Sequence, residues 1–263
     1  MKFTIADKSK KEIFISIFQL LKNSSSILQV IFKEDRMYIQ GMDNGHILLF
    51  EINLLSQWFS SYEKTTTESS NICFDSNIFY NVISVSQETD NLTIYYEGDT
   101  EPESLHIDIE NDKKGEFSKY FKIPLTDLDA DMMTIPETEY DVDFSISAKK
   151  INEITSQMMK FGGDTIDIKC NEEKLSATCS GGSCEMLVNI PIDDISEYAI
   201  MEDKDIDLSF SLNLMSKNCL TIKLTTEISF SLSNDMPMRI KYPLDNEDEN
   251  HVVFYIAPKI KEE

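Results

Sequence analysis

The chain has 263 residues, 41% of them hydrophobic, and carries 24 Lys and Arg against 47 Asp and Glu, a formal net charge of −23. That length supports two ordinary domains with cores of their own, and that composition describes a folded globular protein rather than a disordered one. The acidity argues against sequence-independent binding of nucleic acid, which rests on Lys and Arg, so whether DNA is excluded turns on where the few cations lie.

No apolar run approaches the roughly 18 residues of a membrane span, and residues 1–12 lack the apolar region of a signal peptide, so an intracellular protein with no membrane partner is expected. The five cysteines, Cys73, Cys170, Cys179, Cys184 and Cys219, are odd in number and form no C-x-x-C pair. That spacing argues against a disulfide framework and against a zinc site.

In chain order, residues 9–23 read as a helix with an apolar stripe at Ile13, Phe14, Ile17, Phe18 and Leu21. Strands are expected at 27–33, 36–41 and 46–53, with turns at Glu34-Asp35 and Asn44-Gly45. A polar loop at 60–70 precedes a strand at 72–74 and a short helix at 76–85 with Ile78, Val82 and Val85 inward. Strands follow near 92–96, 105–110 and 120–124. Residues 125–141 are rich in acids, among them Asp127, Asp129, Asp131, Glu137, Glu139 and Asp141, yet also carry Leu128, Met132, Met133, Ile135 and Tyr140, which a plain solvated linker does not need. From Phe144 the pattern restarts with a strand, a helix at 148–161, strands, an acidic loop at 197–205, a strand, a short helix at 212–220 and further strands. A second acidic loop at 245–249 leads to the last strand, 252–257, and a tail at 258–263.

This restart is a duplication. Residues 13–54 map without a gap onto residues 151–192, and Ile72, Phe74, Asn77, Ile78 and Leu92 recur as Leu208, Phe210, Asn213, Leu214 and Ile228. The expected fold is therefore α+β: two similar domains, 1–124 and 142–263, with antiparallel sheets and two helices each, joined by a connector at 125–141.

Catalytic signatures are missing. The sequence has no phosphate-binding G-x-x-x-x-G-K, no G-x-G-x-x-G and no G-x-S-x-G, and its three histidines, His46, His106 and His251, have no metal-ligand spacing. No enzyme activity, cofactor or metal is expected.

Three stretches carry a family resemblance. They are Asp235-Met236-Pro237-Met238-Arg239-Ile240-Lys241-Tyr242 with Phe254-Tyr255-Ile256-Ala257-Pro258-Lys259-Ile260, then Ile39-Gln40-Gly41-Met42-Asp43-Asn44-Gly45-His46, then the connector from Leu125 to Tyr140. Together with the duplication, they resemble the sliding DNA clamps, specifically the eukaryotic-type proliferating cell nuclear antigen family, over essentially the whole chain.

The resemblance implies a DNA-clamp fold and a homotrimeric ring around duplex DNA, with helices lining the hole. Such a ring is a processivity factor: a clamp loader opens it, and it tethers DNA polymerase and other replication and repair proteins through a short glutamine-containing apolar motif. The partner pocket carried over from the family comprises Met42, His46 and Leu49, then Met133, Ile135, Pro136 and Tyr140, then Pro237, Tyr255, Ala257, Pro258 and Ile260. Subunits would pair through edge strands near 119–124, with Tyr120 and Phe121, and 179–188, with Gly181 and Gly182. The site of action implied is the nucleus, or the place of viral DNA replication in a eukaryotic host.

DNA-facing cations in such a ring would be Lys8, Lys11, Lys22, Lys149, Lys150, Lys160 and Lys217, a thin set. The helix near 76–85 offers Asn77, Tyr80, Asn81 and Ser84 instead. Weak DNA contacts are therefore expected, with topology rather than contact energy retaining the ring. The thin set also fits a second reading, a clamp-like hub in transcription or checkpoint signalling that does not encircle DNA, or one subunit of a heteromeric ring.

Overall fold

The computed structural model describes residues 1–64, 70–97, 102–111, 113, 117–127, 132–136, 138–234, 236–245 and 249–260. Leu128, Asp129, Asp131 and Glu137 of the expected connector lie outside the described residues, as do Asp235, residues 65–69 of the polar loop, 246–248 of the second acidic loop and 261–263 of the tail. The chain divides into two units. The first is Met1–Asn44, Phe50–Met133 and Asp245–Val252, and the second is Gly45–Leu49, Thr134–Leu244 and Val253–Glu263.

The first unit runs β1 (Lys2–Ile5), α1 (Lys8–Ser24), β2 (Ile27–Phe32), β3 (Arg36–Met42), β4 (Leu48–Leu55), β5 (Ser61–Glu63), β6 (Ser70–Asp75), α2 (Ser76–Ile83), β7 (Asn91–Tyr95), β8 (Ser104–Glu110) and β9 (Lys119–Pro124). Its strands lie in the orders β5-β1-β7-β8-β9 and β4-β3-β2-β6. The second unit repeats this element for element: β10 (Val142–Ser147), α3 (Ala148–Met159), β11 (Thr165–Cys170), β12 (Leu175–Ser180), β13 (Glu185–Ile190), β14 (Glu197–Ile200), β15 (Ile206–Ser211), α4 (Leu212–Leu214), β16 (Glu227–Leu232), β17 (Met238–Pro243) and β18 (His251–Ile256). Its orders, β14-β10-β16-β17-β18 and β13-β12-β11-β15, match those of the first unit strand for strand. The repeat read in the sequence is thus a repeat of topology.

Helix α1 starts where Asp7 accepts the Lys10 N–H at 2.8 Å, and α2 where Asp75 accepts the Ile78 N–H at 2.8 Å. Each carboxylate satisfies one of the first-turn donors that a helix leaves unpaired. Phe79 and Ile83 turn inward, whereas Ile78 and Val85, expected inward, are exposed and Val82 is half-buried. Phe79 closes an aromatic cluster, with ring centroids 4.5 Å from both Phe18 and Phe74. Phe14 lies 4.9 Å from Phe18, and Phe3 packs 4.8 Å from Phe59. The second unit has a sparser aromatic core, with Phe144 stacked on Phe230 at 5.1 Å.

Three further expectations are corrected. Strand β4 begins at Leu48 rather than at residue 46, because His46 takes the left-handed backbone, φ 54°, which no strand residue adopts. The polar loop contains β5, whose Tyr62 is opposite Phe3 of β1. The acidic loop at 197–205 opens with β14, paired to β10. There Tyr198 and Ile200 turn half inward and the acids outward, and the Tyr198 hydroxyl donates to the Asn171 carbonyl at 2.6 Å. Short helix α4 continues as a π-helical turn over Met215–Cys219. Buried Tyr242 holds that turn, its hydroxyl donating to the Cys219 carbonyl at 2.7 Å and accepting the Thr221 N–H at 3.1 Å.

Candidate functional site

In the second unit, the Ala257 N–H donates to the Ile47 carbonyl at 3.0 Å, setting His46 and half-buried Leu49 beside the start of the C-terminal tail. Tyr255, Ala257 and Pro258 are half-buried, whereas Ile260 is 93% exposed. Lys259 ties that tail down twice: its backbone N–H donates to the Ser209 carbonyl at 2.7 Å, and its ammonium donates to Thr165 Oγ1 at 2.6 Å. Tyr140 is fixed on β17, its hydroxyl donating to the Pro237 carbonyl at 3.3 Å and its ring 4.9 Å from the Arg239 guanidinium carbon. Burial pushes the Tyr140 phenol above its ordinary value, in the direction that keeps it a hydrogen-bond donor. Arg239 is itself held by Ser231 Oγ at 2.8 Å. Ile135 is half-buried, and Pro136 and Pro237 are exposed. The second unit therefore presents aromatic and apolar groups, partly open to solvent, on segments locked by hydrogen bonds. Such a surface can anchor a peptide's side chains.

Met42 and Met133 belong to the first unit. Met42 ends β3 and is half-buried, and Met133 is exposed with its backbone held by the Gln40 side chain. Gly41 lies between, where a Cβ would meet the buried Phe50 ring at 2.5 Å, so only glycine lets that ring cover the strand.

The lysines differ sharply in their surroundings. Lys11 is corrected: it is 1% exposed, and its ammonium donates to the carbonyls of Glu88 and Asp90, so it faces no ligand. Desolvation lowers its pKa despite the nearby acids. Lys8 is exposed but paired to Glu88 at 2.7 Å, and the Lys22 ammonium sits 3.8 Å over the Tyr80 ring. In the second unit Lys149, Lys150, Lys160 and Lys217 are all exposed. Lys150 approaches Asp194 only to 3.9 Å, and Lys149 and Lys160 make no ion pair among the described residues.

The expected subunit-contact residues fall in two kinds of place. Tyr120, 65% exposed, and half-buried Phe121 lie on β9, the last strand of its sheet. Gly181 and Gly182 are not on an edge strand. They form the turn between β12 and β13, where a Cβ on Gly181 would stand 2.0 Å from the Phe161 carbonyl oxygen. The edge strand is β13, which exposes Leu187.

Among the described residues no group of His, Cys, Asp or Glu is placed to hold a metal, and no helix is long and apolar enough to cross a membrane. Cys170 is buried and its thiol is pushed up to about 12 by desolvation, which leaves it unreactive.

Two units of repeated sheet topology, each with two helices, define the DNA-clamp class of fold. Family models assign the same halves: the proliferating cell nuclear antigen N-terminal domain matches residues 6–133 and the C-terminal domain residues 134–259. The chain belongs to the proliferating cell nuclear antigen family of DNA sliding clamps. It is 27% identical over 229 residues to the proliferating cell nuclear antigen of Chaetomium thermophilum, spanning 84% of this chain and 85% of that one. It is 22% identical over 257 residues to proliferating cell nuclear antigen 2 of Plasmodium falciparum, spanning 95% and 96%. Among solved structures, a PCNA2–PCNA3 complex from Sulfolobus tokodaii shares the fold with a TM-score of 0.84 at 16% identity, over 98% of this chain and 99% of that chain.

Proposed function

We propose that this chain closes with further copies of itself, as a homotrimer, into a ring around duplex DNA. The ring holds DNA polymerase and other replication and repair proteins there by their glutamine-containing apolar peptides, acts in the nucleus, and is placed on DNA by a clamp loader. The observation that carries this reading is that one edge strand in each unit exposes apolar side chains. In the first unit β9 ends its sheet and exposes Tyr120 and Lys122, and beside it Phe117 is 81% exposed. In the second unit β13 ends its sheet and exposes Leu187 and Glu185. Open edges bearing apolar groups are aggregation hazards unless a partner strand covers them. Two different edges per chain make a head-to-tail contact, which closes into a ring when the rotation permits. The exposed lysines of α3 and the π-helical turn would then face phosphates.

A second reading, one subunit of a heteromeric ring, is favoured by the similar Sulfolobus tokodaii structure being a complex of two different clamp chains. Light scattering separates the two. A homotrimer gives about three times the 30.2 kDa chain mass, and Leu187→Asp shifts it to the monomer mass. A monomer at all concentrations, trimerising only with a second clamp chain, supports the heteromeric ring. Once loaded, the ring should stay on nicked circular DNA and run off linear DNA. Equal loss from both would defeat the encirclement.

A further inference from the structure

We infer that Gln40 is a positioning residue for the peptide site, clipping the connector backbone to β3 at Met133. This rests on the reading of Met133 as a wall of that site. The Gln40 side chain is buried, 5% exposed, although glutamine is a residue type that is mostly exposed. Its amide makes a two-point contact: Nε2 donates to the Met133 carbonyl at 2.9 Å, and Oε1 accepts the Met133 N–H at 2.7 Å. Only one orientation of the amide serves both bonds, since the flipped group would set donor against donor and acceptor against acceptor. The remaining Nε2 hydrogen points at the Tyr38 hydroxyl, 3.1 Å away, which donates onward to Glu51 Oε1 at 3.0 Å.

The geometry is that of a strand pair with one partner replaced by a side chain. Met133 lies in no strand, and the amide bonds both polar groups of its backbone. The clip holds the main chain and leaves the thioether outside, 39% exposed and available to an apolar ligand. Tyr38 and Glu51 in turn fix the amide's rotamer. Without the clip the segment around Met133 would have to be ordered at the moment of binding, an entropic cost that lowers affinity.

The test uses the full-length protein and a fluorescein-labelled synthetic peptide carrying a glutamine followed by aliphatic and paired aromatic residues. Two readouts are needed, peptide anisotropy and hydrogen exchange of the Met133 amide. For Gln40→Ala we expect faster exchange at Met133, a modestly lowered unfolding midpoint with the cooperative transition kept, and peptide binding weaker by about fivefold to tenfold at temperatures well below that midpoint, the effect of one to two net hydrogen bonds. Tyr38→Phe should fall between the wild type and this variant. Gln40→Glu is the diagnostic: its carboxylate can accept from the Met133 N–H but cannot donate to the carbonyl, and protonation restores the donor. Burial beside the Met133 carbonyl raises such a carboxyl above its ordinary value, so the deficit relative to wild type should shrink as pH is lowered from about 8 towards about 4.5, a pattern that a general loss of packing would not produce. Gln40→Ala with fast Met133 exchange but wild-type peptide affinity overturns the inference, as does unchanged exchange. Failure of the wild type itself to bind the peptide overturns the reading of the site, and the inference with it.

Discussion

Replacing Lys149 and Lys160 together by Gln should flatten the salt dependence of DNA binding, whereas replacing Lys8 and Lys22 should leave it nearly intact. The asymmetry comes from what the ammonium groups touch. Lys8 is neutralised by Glu88 at 2.7 Å, Lys22 is spent on the Tyr80 ring, and Lys11 is buried against carbonyls. Lys149 and Lys160 are exposed without an ion pair among the described residues, and the 3.9 Å approach of Lys150 to Asp194 is too long for a hydrogen bond, unlike the 2.7 Å contact of Lys8 with Glu88. Each phosphate neutralised contributes about −0.9 to the slope of log K against log salt. If the four second-unit lysines of one subunit engage, the slope is about −3.6 and affinity falls about 150-fold between about 50 and about 200 mM salt. Removing two leaves a slope of about −1.8 and a fall of about twelvefold. Fluorescence anisotropy of a labelled duplex titrated at several salt concentrations measures both slopes. The reasoning is refuted if the Lys149/Lys160 variant keeps the wild-type slope, or if Lys8→Gln with Lys22→Gln lowers it as much.

Phe79→Ala should destabilise the first unit by about 3–5 kcal/mol, the cost of a buried aromatic cavity, whereas Ile78→Ala, at an exposed position, should cost less than about 0.5 kcal/mol. Urea unfolding followed by Trp58, the chain's one tryptophan and buried in the first unit, reports that unit directly. Equal costs would show the phase of α2 to be wrong. Asp141 gives a pH-dependent contribution. Its carboxyl is held below the usual range by the hydrogen bond from Lys204, whose ammonium lies 2.9 Å away. A depressed carboxylate adds stability that is present above the unfolded value of about 3.9 and is lost as pH falls through the folded value. The urea midpoint followed by circular dichroism, which reports both units, should therefore be higher for the wild type than for Asp141→Asn near pH 7, and the gap should close on acidification. A gap independent of pH would exclude the assignment.

Much of the architecture was legible in residue order. The alignment of residues 13–54 with 151–192 anticipated β2-β3-β4 against β11-β12-β13, because helical and strand periodicities are local and survive duplication. The phase of α2 was not, since Ile78, Val82 and Val85 compete with Phe79 and Ile83 for one stripe and the packing of Phe79 against Phe18 and Phe74 chooses between them. Strand β14 was hidden because Glu197 and Ala199 face solvent while Tyr198 and Ile200 supply the inward side, within a stretch rich in acids.

The sequence by itself determined that this protein is two copies of one α+β unit, with apolar and aromatic groups in the connector and tail and few lysines on its helices. Only the tertiary structure decided which of those groups are available. Lys11 is captured by the carbonyls of Glu88 and Asp90, Gln40 by Met133, and Lys259 by Thr165, partners 77, 93 and 94 residues away or more. Hydrogen-bonding capacity is written in each residue, but its satisfaction depends on neighbours that only folding supplies.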